Sequence, residues 1–185
     1  RTLMASPGWH LDLSALVDVA VDLAALLAQV HARGVVHHDL SPDTVLLSVP
    51  QNRAMVVNFD RATLFSGEQP GYAHSNSIVN RLAYLAPEQT GRTAQPVDQR
   101  ADLYAVGVVV YELCTGEPPF GRGENDALSL MRDQLARMPT PIVQVKPDFP
   151  RPLSDIVAKL LEKEPGRRYQ SAAGLLHDLK RLRQE

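Results

Sequence analysis

The sequence predicts a mainly α domain with a few short β-strands. Three observations lead to this prediction: a long apolar segment with helical spacing comes first, a long segment rich in Ser, Gly and Asn interrupts the middle, and helical patterns resume after it. The chain has 185 residues, of which 44% are hydrophobic, and this composition suits one domain with a substantial core. We therefore expect a single domain over residues 1–185, without internal repeats.

The first predicted element is a helix from Leu13 to Arg33. Asp12 or Ser14 can cap its N-terminus, and Gly34 can end it. Its polar residues form one narrow stripe, so most of its surface should be buried. Short β-type runs bounded by turn residues follow at Val35-Val36, Val45–Leu47 and Ala54–Val57.

The segment from Phe59 to Tyr84 loses periodicity, which predicts a long loop, and loops of this length are usually functional. Helices separated by proline-rich connectors are predicted after it. The first of them, Asp102–Thr115, is apolar on almost every side and should be buried. The remaining predictions are a helix capped by Asn125 or Asp126 that runs through Met138, a helix over Leu153–Glu164 and a helix over Ser171–Leu182.

Charge and composition argue against several classes of protein. The chain has 19 basic and 21 acidic residues, a net charge of −2, so we expect no general attraction to nucleic acid or to anionic membranes. The single Cys114 excludes an internal disulfide and fits a reducing, cytoplasmic compartment. The longest apolar run, Ala105–Tyr111, is too short to cross a bilayer. The chain opens in mid-pattern, and we expect it to be a piece of a longer protein.

Five motifs occur in a fixed order along the chain. Residues 37–44 read H-H-D-L-S-P-D-T, residues 56–60 V-V-N-F-D, residues 86–88 A-P-E, residues 102–107 D-L-Y-A-V-G and residues 165–169 P-G-R-R-Y. In this order and spacing they resemble the catalytic loop, the D-F-G motif, the A-P-E motif, the central helix and the late arginine motif of eukaryotic-type Ser/Thr protein kinases. The resemblance covers essentially the whole chain. It implies the helical C-terminal lobe, a bundle around two buried helices with a small β element beside the cleft, and an N-terminal lobe encoded before Arg1.

The resemblance implies roles for several residues of the catalytic loop. Asp39 would be the base that accepts the proton of the substrate hydroxyl. Thr44 and Asn58 replace the Asn and Asp that hold Mg²⁺ in the family, and a hydroxyl with a neutral amide makes a poor magnesium site. Ser41 replaces the usual Lys, and Arg81 stands where the family has the Thr that braces the catalytic Asp. ATP is therefore the candidate cofactor, with weak or no binding of Mg²⁺.

Architectural residues of the family are retained, by the same resemblance. His37 and Phe59 match the two lower members of the hydrophobic column between the lobes, and Asp102 matches the carboxylate that anchors the catalytic loop. Glu88 and Arg168 match a buried ion pair. This combination, with the scaffold kept and the metal ligands lost, is typical of a pseudokinase.

Three functions stay open at this point. The first is a pseudokinase with a regulatory or scaffold role, the second is a working Ser/Thr kinase that uses Asp39, and the third is an ATP sensor in which Leu46 forms part of the adenine floor. Residues 86–92, A-P-E-Q-T-G-R, resemble the N-terminal kinase-like domain of large bacterial signalling proteins with AAA-type ATPase, GAF and histidine-kinase regions. The expected partners are therefore the protein's own N-terminal lobe, downstream ATPase or sensor domains, and a protein substrate or partner, but neither nucleic acid nor a membrane.

Overall fold

A long buried helix opens the part of the chain that the computed structural model describes, which comprises residues 12–48, 53–65, 81–120 and 127–184. This helix, α1, spans Leu13–His31, and the Asp12 carboxylate caps it by accepting a 2.7 Å hydrogen bond from the Ala15 N–H. The cap is therefore Asp12 and not Ser14. The predicted end at Arg33 was too late, because the helix gives way to a turn in which Gly34 takes a left-handed φ of 73°.

Two small antiparallel pairs of strands follow α1. Strands β1 (Val35–Val36) and β4 (Thr63–Leu64) form one pair, and β2 (Val45–Ser48) and β3 (Arg53–Val56) form the other, with Val45 opposite Val56. The predicted bounds 54–57 for β3 were one residue late. Strand β4 lies inside the predicted loop from Phe59 to Tyr84, since two residues are too few to give a periodic signal. Residues 66–80 of that loop lie outside the described residues.

The second half of the described chain is helical, apart from its connectors. Two short 3₁₀ helices cover Pro87–Thr90 and Pro165–Arg167. The α-helices are α2 (Gln99–Thr115), α3 (Ala127–Ala136), α4 (Ile142–Val145), α5 (Arg151–Leu160) and α6 (Ala172–Leu182).

Several predicted helix bounds need correction. Helix α2 begins at Gln99 and not at Asp102, because the Asp98 carboxylate accepts the Arg100 N–H at 2.8 Å and starts the helix ahead of its apolar run. Helix α5 begins at Arg151, since a proline in the first helical turn lacks only an N–H that would be unpaired there, and it ends at Leu160 instead of Glu164. Helix α3 ends before Met138, its predicted caps Asn125 and Asp126 lie outside the described residues, and α4 was not predicted.

The core is built around α1 and α2. Helix α1 packs on α6, α2 and β3, and α2 also packs on α5. Leu103, Tyr104 and Val108 on α2 have no exposed surface. Helices α2 and α5 approach so closely that a Cβ on Gly107 would lie 2.7 Å from the Leu160 Cβ. The protein is thus mainly helical with a few short strands, as the sequence predicts.

Helix α1 also has the length and composition of a membrane-spanning segment, and it is the one such helix in the described ranges. The sequence-based expectation considered only the uninterrupted run Ala105–Tyr111 and overlooked α1. In the structure, Leu16, Leu23 and Leu27 of α1 are about 1% exposed and pack into the core. That environment is typical of a core helix, which passes the same test of length and composition.

Candidate active site

The loop after β1 is tied to the buried helix α2. The Asp102 carboxylate accepts the backbone N–H groups of His37 and His38, both at 2.8 Å, and its Oδ2 lies 2.9 Å from His31 Nε2 on α1. His38 has a left-handed φ of 65°, an uncommon conformation for a residue with a Cβ. His31, His37, His38 and Asp102 are all buried. The Asp102 carboxylate therefore holds both the start of the loop and the end of α1 in place.

His38 also connects this loop to β4. Its Nε2 lies 2.8 Å from the Thr63 Oγ1, and burial lowers the pKa of His38, with the neighbouring Asp102 acting in the opposite direction. An imidazole thus stands at the position where the kinase catalytic loop H-R-D carries its Arg.

Asp39 lies between two guanidinium groups. Its Oδ2 is 3.1 Å from Arg81 Nη1 and 3.7 Å from Arg61 Nε, and the residue is 7% exposed. Burial raises the pKa of Asp39, while Arg81 and Arg61 oppose the rise. The sequence marked Arg81 as a replacement but did not reveal this ion pair. A positive charge at the position that normally braces the catalytic Asp was the signal that could have suggested it.

Thr44 faces the interior of the loop. Its Oγ1 lies 3.0 Å from the Asp39 carbonyl and 3.2 Å from the Ser41 carbonyl, and it accepts the Ser41 N–H at 3.0 Å. Both Thr44 and Ser41 are buried. The hydroxyl therefore braces the backbone around Asp39, and its single proton and its oxygen are engaged there.

Asn58 stands beside Thr44 on the next segment, because the Val57 N–H donates to the Thr44 carbonyl at 2.9 Å. It is exposed and has a left-handed φ of 64°, which Asn tolerates better than most residues. We refer to Asp39, Thr44 and Asn58 as the cleft residues. They offer one carboxylate, already paired with arginine, and otherwise neutral groups. Within the described ranges no group of three or more His, Cys, Asp or Glu could hold a metal ion. Mg²⁺ prefers anionic oxygen ligands, and among the cleft residues only Asp39 carries one.

His37 and Phe59 are in direct contact. Their ring centroids are 4.7 Å apart in an edge-on arrangement, and His37 Nε2 lies 3.1 Å from the Val57 carbonyl. Leu46 lies on β2 opposite Met55 of β3, on the face of this pair that is not buried in the core, and Met55 is exposed. The role of Leu46 as adenine floor stays a prediction.

Glu88 and Arg168 form a bidentate ion pair in the core. The two N–O distances are 2.6 and 2.8 Å, and the side chains are 1% and 0% exposed. The Arg168 guanidinium also donates to the carbonyls of Arg100, Glu162 and Lys163. The pair thus joins the first 3₁₀ helix to α2 and to the segment after α5. We refer to Asp102 and the Glu88–Arg168 pair as the buried anchors.

Two buried glutamines were missed in the sequence. Gln89 accepts the Ala86 N–H at 2.9 Å and donates to the His38 carbonyl at 2.9 Å, so the A-P-E segment is bonded directly to the loop that carries Asp39. Gln134 on α3 donates to the Leu82 and Ala83 carbonyls, 3.1 and 2.7 Å away. Gln89 lies in the segment A-P-E-Q-T-G-R, but its role there, like that of Gln134, becomes evident only from these hydrogen bonds.

The architecture and the loop around Asp39 define a kinase-like protein. The protein kinase domain model matches residues 8–179, and the chain belongs to this family, in which ATP binding is implied. It is 38% identical over 180 residues to serine/threonine-protein kinase Pkn1 of Myxococcus xanthus, covering 96% of this chain and 25% of that protein. It is 31% identical over 166 residues to serine/threonine-protein kinase PknB of Mycobacterium tuberculosis, covering 90% of this chain and 26% of that protein.

A shorter match concerns a much larger protein. The chain is 47% identical over 96 residues to hybrid signal transduction histidine kinase G of Dictyostelium discoideum, covering 52% of this chain and 3% of that protein. The chain therefore spans about a quarter of the length of Pkn1 and PknB, and a far smaller part of the histidine kinase.

Proposed function

We propose that the chain is the helical C-terminal lobe of a pseudokinase, with a regulatory or scaffold role inside a larger signalling protein. The observation that carries this proposal is the ion pairing of Asp39 with Arg81 and Arg61. A general base must be available to the proton that it accepts. The Asp39 carboxylate already contacts two guanidinium groups, and a substrate hydroxyl would have to compete with them for it.

The other cleft residues support the same function. The Thr44 hydroxyl is hydrogen-bonded to the loop backbone, and Asn58 offers only a neutral amide. In the kinase mechanism, metal ions neutralise the charge that develops on the transferred phosphate. Loss of one such electrostatic element typically costs about 10²–10³ in rate, and here both ligand positions are changed.

A working Ser/Thr kinase is the second candidate. Asp39 is retained, and Pkn1 and PknB are named as Ser/Thr kinases. In this case Arg81 and Arg61 would have to leave Asp39 when substrates bind. An ATP sensor without phosphate transfer is the third candidate and is compatible with the first.

The surroundings of the domain are also proposals. The expected partners are the protein's own N-terminal lobe, packed over the cleft residues, and downstream ATPase or sensor domains in the same polypeptide. The match to a hybrid histidine kinase supports such a multidomain arrangement. The proposed location is the cytoplasm, because these partners and ATP would be found in that compartment.

A transfer assay on the full-length protein tests the proposal. Phosphate incorporation into Ser and Thr of a general protein substrate is measured for the wild type, for Asp39→Asn and for the control Asp155→Asn, an exposed carboxylate on α5. We expect the same background in all three. If the protein is a working kinase, Asp39→Asn should lower transfer by about 10²–10⁴ while Asp155→Asn leaves it unchanged, and that result would refute the pseudokinase.

A further inference from the structure

We propose that a pocket between β4 and the start of α2 binds an uncharged small molecule that has a compact apolar body and a hydroxyl group. This pocket, which we call the β4–α2 pocket, has a volume of about 400 Å³ and is lined by parts of β1, the loop after β1, β4 and residues 96–99. The inference goes beyond the proposed function, because the described residues that line the pocket do not include the cleft residues, and its occupation requires neither ATP nor phosphate transfer.

The size and lining of the β4–α2 pocket resemble those of small-molecule sites. Such sites are concave, have volumes of about 300–1,000 Å³, and combine mainly apolar walls with a few polar groups. Here the apolar lining residues are Val36, Leu64, Phe65, Pro96 and Val97. The consecutive side chains of Leu64 and Phe65 are 60% and 55% exposed. An apolar ligand body would remove part of this surface from water, and that burial is the main source of the expected affinity.

The polar recognition group of the β4–α2 pocket is the pair formed by His38 and Thr63. His38 Nε2 lies 2.8 Å from Thr63 Oγ1, and both residues line the pocket. A threonine hydroxyl has one donor and two acceptor positions, so this bond leaves Thr63 able to make a further hydrogen bond, whichever partner supplies the proton. The remaining capacity includes a donor with one tautomer of His38 and is acceptor only with the other. A ligand hydroxyl suits both cases, because it can donate and accept.

The charges at the β4–α2 pocket favour an uncharged ligand. Asp98 is the carboxylate among the described lining residues, and the Arg100 guanidinium already binds it through Nε and Nη2, with N–O distances of 2.6–3.0 Å. Burial lowers the pKa of His38 and so favours its uncharged form, although Asp102 opposes this. A charged head group would therefore lose its hydration at the Thr63 hydroxyl without meeting an unpaired opposite charge on these residues.

Binding measurements with matched indole probes on the full-length protein test the pocket. The probes are tryptophol, tryptamine and indole-3-acetate, which share an indole body and carry a hydroxyl, a cationic and an anionic head group. Saturation-transfer NMR titrations give their dissociation constants. We expect tryptophol to bind at least about 5-fold more tightly than either charged probe, because its head group can bond to Thr63 without the loss of a charge's hydration.

Variants of the lining residues locate the site. Thr63→Val keeps the shape of the side chain and removes its hydroxyl, so it should weaken tryptophol binding by about 3–10-fold and leave 3-methylindole, which has no hydroxyl, within about 2-fold. The matched control is Thr115→Val at the other end of α2, whose hydroxyl bonds to the Tyr111 carbonyl and whose loss should change neither affinity. Phe65→Ala should weaken both probes by about 3-fold or more, whereas Met138→Ala, at an exposed apolar residue that does not line the pocket, should not.

Further measurements keep the test decisive. Thermal unfolding establishes that each variant is folded, and Thr63→Ser, which retains a hydroxyl, should bind tryptophol within about 3-fold of the wild type. A photoreactive diazirine derivative of tryptophol should label peptides that contain residues 63–65 or 96–99 in the wild type. Equal affinity for the three probes, no saturable tryptophol binding up to about 10 mM, an unchanged affinity in Thr63→Val, or labelling only elsewhere would overturn the inference. Phosphate transfer plays no part in these measurements, so the pocket and the pseudokinase are tested separately.

Discussion

The buried anchors and the cleft residues of this molecule differ in how their charges are paired. Each anchor has polar partners. Glu88 forms a bidentate ion pair with Arg168, and the Asp102 carboxylate accepts two backbone N–H groups and contacts the His31 ring. At the cleft, by contrast, Asp39 faces two guanidinium groups, and Thr44 and Asn58 have neutral side chains.

This difference shows which parts of the family pattern the fold itself requires. Removing one member of a buried ion pair leaves an uncompensated charge in the core, which costs several kcal/mol. A neutral amide in place of a carboxylate at an exposed position, such as that of Asn58, leaves no uncompensated buried charge in the folded state. The scaffold can therefore tolerate changes at the cleft residues that it does not tolerate at the buried anchors, and the two regions should respond very differently to mutation.

The largest expected effect is at the anchor. Arg168→Ala should lower the free energy of unfolding by about 3–5 kcal/mol, because it leaves the buried Glu88 carboxylate unpaired and removes three donors to backbone carbonyls. Denaturant titration of the purified protein measures it. The control is Arg183→Ala, whose partner Asp18 is 3.3 Å away on the surface and whose loss should stay within roughly ±0.5 kcal/mol. Similar values for the two variants would remove the contrast between the anchors and the surface.

A second prediction concerns the packing of α2 against α5 and how much stability is lost when it is disturbed. Gly107→Ala would place a Cβ 2.7 Å from the Leu160 Cβ, an atom fixed to the helix backbone, so α2 and α5 must move apart. We expect a destabilisation of about 1–3 kcal/mol, as for other overpacked cores. Gly166→Ala is the matched control, since a Cβ there meets nothing within 4 Å. If both alanines are equally tolerated in thermal unfolding, the α2–α5 contact is looser than its geometry indicates.

The sequence predicts the helices well where periodicity and caps agree. Helix α6 begins after Ser171, whose hydroxyl accepts the Gly174 N–H, and it ends at Leu182, as the pattern indicates. Boundaries fail where the cap lies outside the apolar run, as with Asp98 ahead of α2, or where the element is too short to have a period, as with β4. Local rules thus locate the elements more reliably than their ends.

The candidate site could be predicted in part, for a related reason. Motif spacing marks Asp39, Thr44 and Asn58 as candidates, but the pairing of Asp39 with Arg81 depends on how the chain returns across a long segment. The inward turn of the Thr44 hydroxyl follows from the carbonyls that the loop presents to it. Both are tertiary facts that the sequence pattern does not contain.

The smallest expected effect concerns Lys163, a cation beside the anchors that has no carboxylate within ion-pair distance in the described ranges. Its Nζ lies 3.4 Å from the Tyr104 Oη, 3.4 Å from the Asp133 carbonyl and 4.4 Å from the centre of the Phe120 ring. Burial lowers the pKa of Lys163 from 10.5 to about 8, and the charge of Arg168 adds to this while Asp133 opposes it.

The sign of the resulting pH dependence follows from proton binding. Between pH 8 and pH 10.5 the unfolded chain holds the Lys163 proton and the folded protein has released it, so this group makes stability rise with pH. We expect a slope of about 0.5–1 kcal/mol per pH unit, below the limit of about 1.4 for a whole proton because the side chain is partly exposed. The measurement belongs at pH 8–10, since burial raises the pKa of Tyr104 and Tyr169 and gives tyrosines the opposite effect above that range.

The variant Lys163→Met should flatten this slope, while Lys159→Met, which removes an exposed lysine over the Tyr169 ring, should leave it unchanged. Denaturant titrations at several pH values compare the three proteins. The comparison bears on the anchors because the Lys163 carbonyl accepts a hydrogen bond from Arg168. If the slope survives Lys163→Met, then the lysine keeps its proton in the folded state, and the region around Arg168 tolerates a second, unpaired cation at little cost. The distinction between the paired anchors and the cleft residues would then need another physical basis.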